Sequence, residues 1–355
     1  LLKILYAAPL DQNNSALYRL WALERLGIRI VPINTLPYIN QGNRLAINFR
    51  NRLILGPVVH RFNQDVYRMG LDNKVDAVWA DKSQYLWPRT LKKLRTSGIA
   101  SVNYNIDNPF GLRRDPGWRI FMKAIPEYDL HVVQRDRNIV DYKAHGARTV
   151  IKIQTAYEPA VHFPPPADWS DAQRDREVSF IGTPYDQRAQ FLTSLWSDNG
   201  LAVRINGSAR LWRAQLDKDA WQAMYSSDGE LYGDDYRKAI WRSKVNLSFI
   251  THSNQDEFAH KSFEIAACGG FLLVERSQGH MERFRENKEA VFFSNKQECA
   301  EKISKYLSDN ESRERIAAAG QRRAVESGYS NDGQIKLVLE YLQPIIQSIK
   351  HKGKG

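Results

Sequence analysis

A chain of 355 residues is long enough for two domains of ordinary size. Its 43% hydrophobic and 26% charged residues suit a soluble globular protein, and no apolar run approaches the ~18 residues that argue for a membrane-spanning helix. The net charge of +11 resides in residues 1–160, which hold 24 Lys+Arg against 13 Asp+Glu, so that half is expected either to meet an anionic partner (lipid headgroups, a phosphorylated acceptor, an acidic glycan or nucleic acid) or to carry a merely solvated basic surface.

In chain order, Lys3 to Ala8 reads as a strand. The polar loop Asp11 to Ser15 can cap a helix from Ala16 to Leu26, and Ile28 to Ile33 reads as a second strand, giving a right-handed βαβ opening. No Gly-x-Gly-x-x-Gly follows the first strand, so a dinucleotide fingerprint is absent there. Residues 41–70 divide at Gly56-Pro57 into two helical pieces. Their apolar positions, Leu45, Ile47, Phe49, Leu53, Ile54 and Leu55, predict a core-packing helix with a basic outer face, the other reading being a membrane-facing side. Ala77 to Ala80 and Ala100 to Ile106 read as strands. Asp107 at the end of the latter is a candidate general base or acceptor-orienting carboxylate, or simply a turn residue before Asn-Pro. Arg113, Arg114, Arg119 and Lys123, interleaved with Phe110, Trp118 and Phe121, make a second basic and aromatic patch.

Strands at Leu130 to Val133 and Thr149 to Ile153 close the first half, and the proline-rich segment from Glu158 to Pro166 reads as a stiff linker. Val178 to Ile181 opens the second half, and Leu201 to Asn206 and Val245 to Ile250 continue it. The stretch Asp256 to Glu275 then reads as polar loop, short helix, Gly-Gly stop and buried strand. Gly269 and Gly270 suit a left-handed helix cap. A helix beginning near His260 and Lys261, at the carboxyl end of a parallel strand, offers N–H groups and a positive dipole end to an anion. Asp256 and Glu264, eight residues apart, could face one cleft, and carboxylates suit paired sugar hydroxyls. Each also has a plainer reading as a solvated or capping residue. Helices follow at Lys296 to Ser308, Glu311 to Glu326 and Gln334 to Ile349, and the tail His351 to Gly355 is expected to be disordered. The two cysteines, Cys268 and Cys299, make no disulfide framework, and no zinc-like Cys/His cluster exists, which fits a reducing cytoplasm.

The run Asp256-x-Phe258 with Phe263-Glu264-Ile-Ala-Ala-Cys-Gly-Gly resembles the Glu-x7-Glu signature of GT-B glycosyltransferases, with Asp256 at the first acidic position and Glu264 at the second. From Lys261 to Glu275, and onward through Phe284, Lys288-Glu289-Ala290 and Tyr329, it resembles the CgeB-like, spore maturation protein-like group; the C-terminal half carries most of the likeness. The resemblance implies an α/β GT-B architecture, two Rossmann-like domains facing each other across a cleft. The boundaries are 1–156 for an acceptor domain, 157–176 for a hinge, 177–330 for a nucleotide-sugar donor domain, and 331–355 for a helix packing back on the first domain plus a tail. It implies donor binding by Glu264, through its ribose contact, and by His260, Lys261, Arg188, Gly182 and Thr183. Where the family's turn carries Arg and Lys, this chain has Thr183 and Arg188, so one diphosphate-holding cation is kept in kind and one is not. Asp107 and Asp256 are the catalytic candidates, and Asn14 and Arg113 the acceptor candidates. The expected partners are a nucleotide-sugar and a glycan or lipid-linked acceptor, with peripheral contact to an anionic membrane and no nucleic acid. No metal or other cofactor is expected. A GT-B-fold sugar-nucleotide epimerase and a noncatalytic polyanion binder are the alternatives.

Overall fold

The structure is a computed structural model that describes residues 1–11, 14–82, 84–111 and 116–352. It forms two compact units, Leu1–Gln154 with Asn331–Gly355, and Thr155–Ser330.

The first unit is built on six parallel strands, β1 (Lys3–Ala8), β2 (Arg29–Asn34), β3 (Ala77–Asp81), β4 (Ala100–Tyr104), β5 (Leu130–Val133) and β6 (Val150–Lys152), in the order β2-β1-β3-β4-β5-β6. Strand β1 explains why its sequence is apolar without alternation. Ile4, Tyr6 and Ala8 enter one core and Leu5 and Ala7 the other, because helices cover both faces of the sheet. One face is closed by the helices Ser15–Arg25 and Asn331–Lys352, which bring Ala16, Leu20 and Leu23 against the sheet together with Ile335, Val338 and Leu342. The other is closed by Pro57–Asp72 and Pro88–Thr96. The final helix runs through Lys352, so the expected disorder does not begin at His351; residues 353–355 lie outside the described residues.

A buried ion pair ties the helix Ser15–Arg25 to β3. Arg19 on the helix grips Asp81 at the end of β3 with two parallel hydrogen bonds, Nε to Oδ2 at 2.6 Å and Nη2 to Oδ1 at 2.8 Å. The Tyr6 hydroxyl donates to Asp81 Oδ2 at 2.7 Å, and the Arg19 guanidinium lies 4.6 Å from the Tyr104 ring centroid. Every member is buried, so each charge depends on its partner.

The helix Arg44–Leu53 does not pack as its sequence predicts. Arg50 is its one buried residue, while Leu45 and Phe49 point to solvent. Two anchors cause this. Arg50 Nη2 donates to the carbonyls of Ile39 at 2.6 Å and Gln41 at 2.7 Å, and Ile54, just past the helix, is fully buried. Ile54 reaches that place only in the left-handed region, φ 53°, a conformation that costs a β-branched residue about 1–2 kcal/mol.

The second unit holds β7 (Arg176–Ile181), β8 (Val203–Asn206), β9 (Ser243–Ser248), β10 (Leu272–Glu275) and β11 (Val291–Phe293), all parallel, in the order β11-β10-β9-β7-β8. Phe180, Leu247 and Leu273 enter one core, Ile181, Leu272 and Val274 the other. Cys268 and Cys299 are buried on opposite sides of this sheet as free thiols. The segment 155–166 is embedded in the unit. Tyr157 bridges to Ser330, and Glu158 and His162 are buried. Among the described residues no helix is long and apolar enough to cross a membrane.

Replacing Asp81 with Ala strands the Arg19 charge and is expected to cost about 3–5 kcal/mol. The denaturant midpoint should fall accordingly, and the double variant Arg19→Met with Asp81→Leu should recover most of it. A single variant as stable as the parent would show that the pair is not sealed from water.

Candidate functional site

Order in the second sheet fixes where a ligand can sit. The chain runs from β7 to β8 on one side, then crosses to β9 on the other, so the connections after β7 and β9 leave in opposite directions and open a crevice at their carboxyl ends. A pocket of about 330 Å³ lies there. Its floor and walls come from Ile181, Gly182 and Thr183 after β7, Gly207 and Ser208 after β8, Phe249 and Thr251 after β9, the segment Glu230–Tyr232, Asp256, and the start of the helix His260–Ala267.

Two glycines shape the floor. At Gly207, φ +152° and a Cβ that would lie 2.1 Å from the Gly182 carbonyl oxygen exclude any side chain. The Trp212 indole Nε1–H donates to that same carbonyl at 2.8 Å, and the Tyr225 hydroxyl donates to the Gly207 carbonyl at 2.7 Å. The two loops are thereby fixed to each other.

The helix start forms the opposite wall. Ala259 stands at the cap position and brings no side-chain acceptor, which leaves the helix end open to a ligand. Its own N–H instead donates to Nε2 of the buried His280 at 3.0 Å. Because Nε2 accepts, the ring proton sits on Nδ1, which donates to the Glu275 carbonyl at 3.0 Å. Burial pushes the His280 imidazolium down to about 4, so the ring is neutral in ordinary buffers and can keep accepting. Beyond Cys268 the helix ends on Gly269 at φ +67°, the left-handed cap its sequence suits.

Glu264 lies one turn into the helix, buried, and does not itself line the pocket. The Tyr236 hydroxyl donates to its Oε2 at 2.7 Å, and His260 Nε2 lies 2.9 Å from Oε1. His162 Nε2 faces Oε1 from 3.7 Å, while its Nδ1 accepts the Glu158 N–H at 3.0 Å. Burial opposes ionisation of Glu264, but His260, His162 and Lys261 outweigh it and hold the carboxyl well below the usual carboxylate range. Burial pushes His162 down to about 4. Lys261 points its ammonium over the Tyr236 ring, 4.5 Å from the centroid; burial lowers it, the attraction of Glu264 opposes this, and Arg188 adds to it.

The structure therefore brings Gly182, Thr183, Arg188, Asp256, His260 and Lys261 together around one pocket and sets Glu264 behind His260. Arg188 lines the pocket and is not an exposed helix start. Its guanidinium is buried and donates to the carbonyls of Ile250 at 2.9 Å and Thr183 at 3.2 Å and to Thr251 Oγ1 at 3.0 Å, tying the β7 and β9 loops together. Asp256 Oδ1 accepts from Asn254 Nδ2 at 2.9 Å. The remaining candidates belong to the first unit. Asn14 follows β1 and caps the helix Ser15–Arg25, its Oδ1 accepting the Ala16 N–H at 3.1 Å. Asp107 follows β4, half-exposed, with Lys82 Nζ 2.9 Å from its Oδ2. Arg113 and the neighbouring Arg114 lie outside the described residues, as does Asn13. Among the described residues no group of three His, Cys, Asp or Glu side chains could hold a metal ion.

Sequence reasoning missed His162, Gly207, Tyr236, His280 and the Glu230–Tyr232 wall. Gly207 left a trace, as a glycine directly after a strand. The others are ordinary residues whose roles arise only when distant segments meet.

Residues 187–340 match a family model described as glycosyl transferase-like. The match takes in the helix that walls the pocket, both acidic positions and the Gly-Gly stop, and begins after the Gly182–Thr183 part of the lining. No curated protein matches the chain by sequence. Solved structures align over nearly the whole chain. Anabaena Alr3699/HepE, in complex with UDP and glucose, is 14% identical, with 97% of this chain and 100% of that chain covered and a TM-score of 0.64. Sucrose-phosphate synthase from Thermosynechococcus elongatus is 11% identical over 96% and 98%, with a TM-score of 0.68. A UDP-forming α,α-trehalose-phosphate synthase from Burkholderia vietnamiensis is 12% identical over 96% of each chain, with a TM-score of 0.62. The fold is GT-B, with two Rossmann-like units.

His131, His162 and His280 are each pushed by burial from an ordinary value of 6.5 down to about 4. Below pH 6.5 the unfolded chain takes up protons that the folded chain refuses until about pH 4. Stability present above 6.5 is thus lost across that window, by up to about 3 kcal/mol per histidine. Denaturant midpoints at pH 7 and 4.5 measure the fall, and His280→Gln should flatten it; equal midpoints would show that the rings are not buried neutral. Gly207→Ala, by forcing the β7 and β8 loops apart, is expected to cost about 1–3 kcal/mol in the same assay.

Proposed function

We propose that this chain is a glycosyltransferase that takes a sugar from a nucleoside diphosphate sugar bound in the second unit. The observation that carries the reading is the placement of the open helix end and the Lys261 ammonium in a pocket at the carboxyl ends of β7 and β9, within the segment that matches the glycosyl transferase-like family. The leaving group of such a transfer is a nucleoside diphosphate, whose negative charge grows as the sugar bond breaks. Lys261 and the helix end then oppose that charge where little water competes, and the chain's own cations supply what a metal supplies elsewhere. Glu264 fixes His260 and holds Lys261 by charge. The ribose contact that the motif implies for Glu264 has its Oε1 exchange His260 for a ribose hydroxyl. Asp256, which lines the same pocket, is assigned the role of catalytic carboxylate. Arg188 serves the donor indirectly, by holding Thr183 and Thr251 in place.

The acceptor side falls to the first unit, with Asp107 as base or orienting carboxylate and Asn14 and Arg113 as acceptor contacts. The basic character of that half suits a glycan or lipid-linked acceptor bearing negative charge. We further assign the chain to the CgeB-like group and to hexosyl transfer. The support is the run Lys261 to Glu275, together with structural neighbours whose own complexes contain UDP, glucose or UDP-glucose.

A thermal-shift panel of nucleoside diphosphates, UDP and UDP-glucose among them, tests the donor site, since a ligand of the folded state alone raises its melting temperature. One nucleotide should shift the parent chain and fail to shift Glu264→Ala; equal shifts in both would remove Glu264 from the donor site. With the matching sugar nucleotide and acceptor, Lys261→Ala should slow release of free nucleoside diphosphate about a hundredfold or more. Conversion of the sugar with its nucleotide still attached would replace transfer by epimerisation.

A further inference from the structure

The helix Arg44–Leu53 is turned inside out. Residues Leu45, Asn48, Phe49 and Arg52 share one face, spaced i, i+3, i+4, i+7, and that face looks to solvent, with Leu45 79% and Phe49 68% exposed. Leu55, just beyond the helix, is 53% exposed. Meanwhile Arg50, the residue most costly to bury, is held inside by two carbonyls. A helix folded for its own unit would bury Leu45 and Phe49 and expose Arg50. Here the left-handed turn at Ile54 locks the opposite orientation in place. The apolar side chains are thus presented on a rigid, anchored element and not on a free end.

The charge around them selects the partner. Residues 41–68 contain five arginines and one acid, Asp65, which is occupied by Arg68 and by the Tyr38 hydroxyl. Arg44 and Arg52 are exposed beside Leu45 and Phe49, and Arg61 lies exposed near the start of the helix, bonded to Gln41. Leucine and phenylalanine ringed by arginine suit a bilayer interface. The apolar tips enter the acyl boundary while the guanidinium groups meet lipid phosphates. A soluble polyanion would use the arginines and leave the apolar side chains in water.

We propose that Leu45, Phe49 and Leu55, with Arg44, Arg52 and Arg61, dock the first unit on the surface of an anionic lipid bilayer. The docking needs no donor and no turnover, so it stands or falls apart from the sugar-transfer reading.

Co-sedimentation of the full chain with vesicles tests it, comparing phosphatidylglycerol-containing vesicles with pure phosphatidylcholine. The parent chain should bind the anionic vesicles, more weakly as salt rises. Leu45→Ser with Phe49→Ser should lower vesicle affinity by about tenfold or more. Both positions are exposed, so the melting temperature should not move. Arg44→Gln with Arg52→Gln should lower affinity for anionic vesicles and remove most of its salt dependence. Arg50 is left intact because it holds the helix to its unit. The proposal fails if the parent chain ignores anionic vesicles, if the serine pair binds them as the parent does, or if heparin binds both chains equally and accounts for all the salt-sensitive binding.

Discussion

Where the helix His260–Ala267 begins is decided by a hydrogen bond that has no ligand in it. The Ala259 N–H must end somewhere, and it ends on the unprotonated nitrogen of His280, which its other nitrogen fastens to the Glu275 carbonyl. Burial keeps that imidazole neutral, and neutrality is what lets it accept. Once Ala259 is held, the N–H groups of the next residues, the Lys261 side chain and the Glu264 carboxylate all have fixed positions. The crevice between β7 and β9 gains its polar wall from this one anchor. Arg188 acts likewise on the opposite wall by joining two loops through their carbonyls. The pocket is thus shaped before any ligand arrives, so a ligand need not pay to order it.

Much of the architecture was legible because parallel strands buried on both faces leave unbroken apolar runs. Lys3 to Ala8 and Leu130 to Val133 are read to the residue, and the Gly269 stop follows from the backbone it needs. Short helices such as Trp118–Ala124, Ala209–Arg213 and Lys218–Met224 escaped because they carry too few turns for a period to show. The helix Arg44–Leu53 misled for another reason. Periodicity reports that a helix has an apolar side, not which way that side faces, and a buried arginine and a strained isoleucine decided it here.

At the site, motif positions were legible and their chemistry was not. Asp256, His260, Lys261 and Glu264 stand close in the chain and could be placed together from spacing. The environment that keeps Glu264 ionised comes from His260, His162 and Lys261, and His162, like the Tyr236 hydroxyl that donates to the carboxylate, lies far away in sequence and is marked by no motif. Arg188 shows the converse. Its position matches a cation of the family, yet both terminal nitrogens already donate to the protein, and only its buried Nε is left without a partner. A residue type at a motif position identifies a candidate, and only the surrounding donors and acceptors reveal whether its valences are spent.

Cys268 and Cys299 sit on opposite sides of the second sheet, both fully buried, and burial pushes both thiols far above their usual range. Only a thiolate in contact with solvent reacts with an alkylating reagent. Each cysteine is therefore a silent clock for its own layer: Cys268 at the end of the helix that carries Glu264, Cys299 in the helix Lys296–Ser308. The first unit holds no cysteine, so alkylation measures the breathing of the second unit alone. Unequal labelling of the two sulfurs would reveal which face of the sheet parts from its helices first.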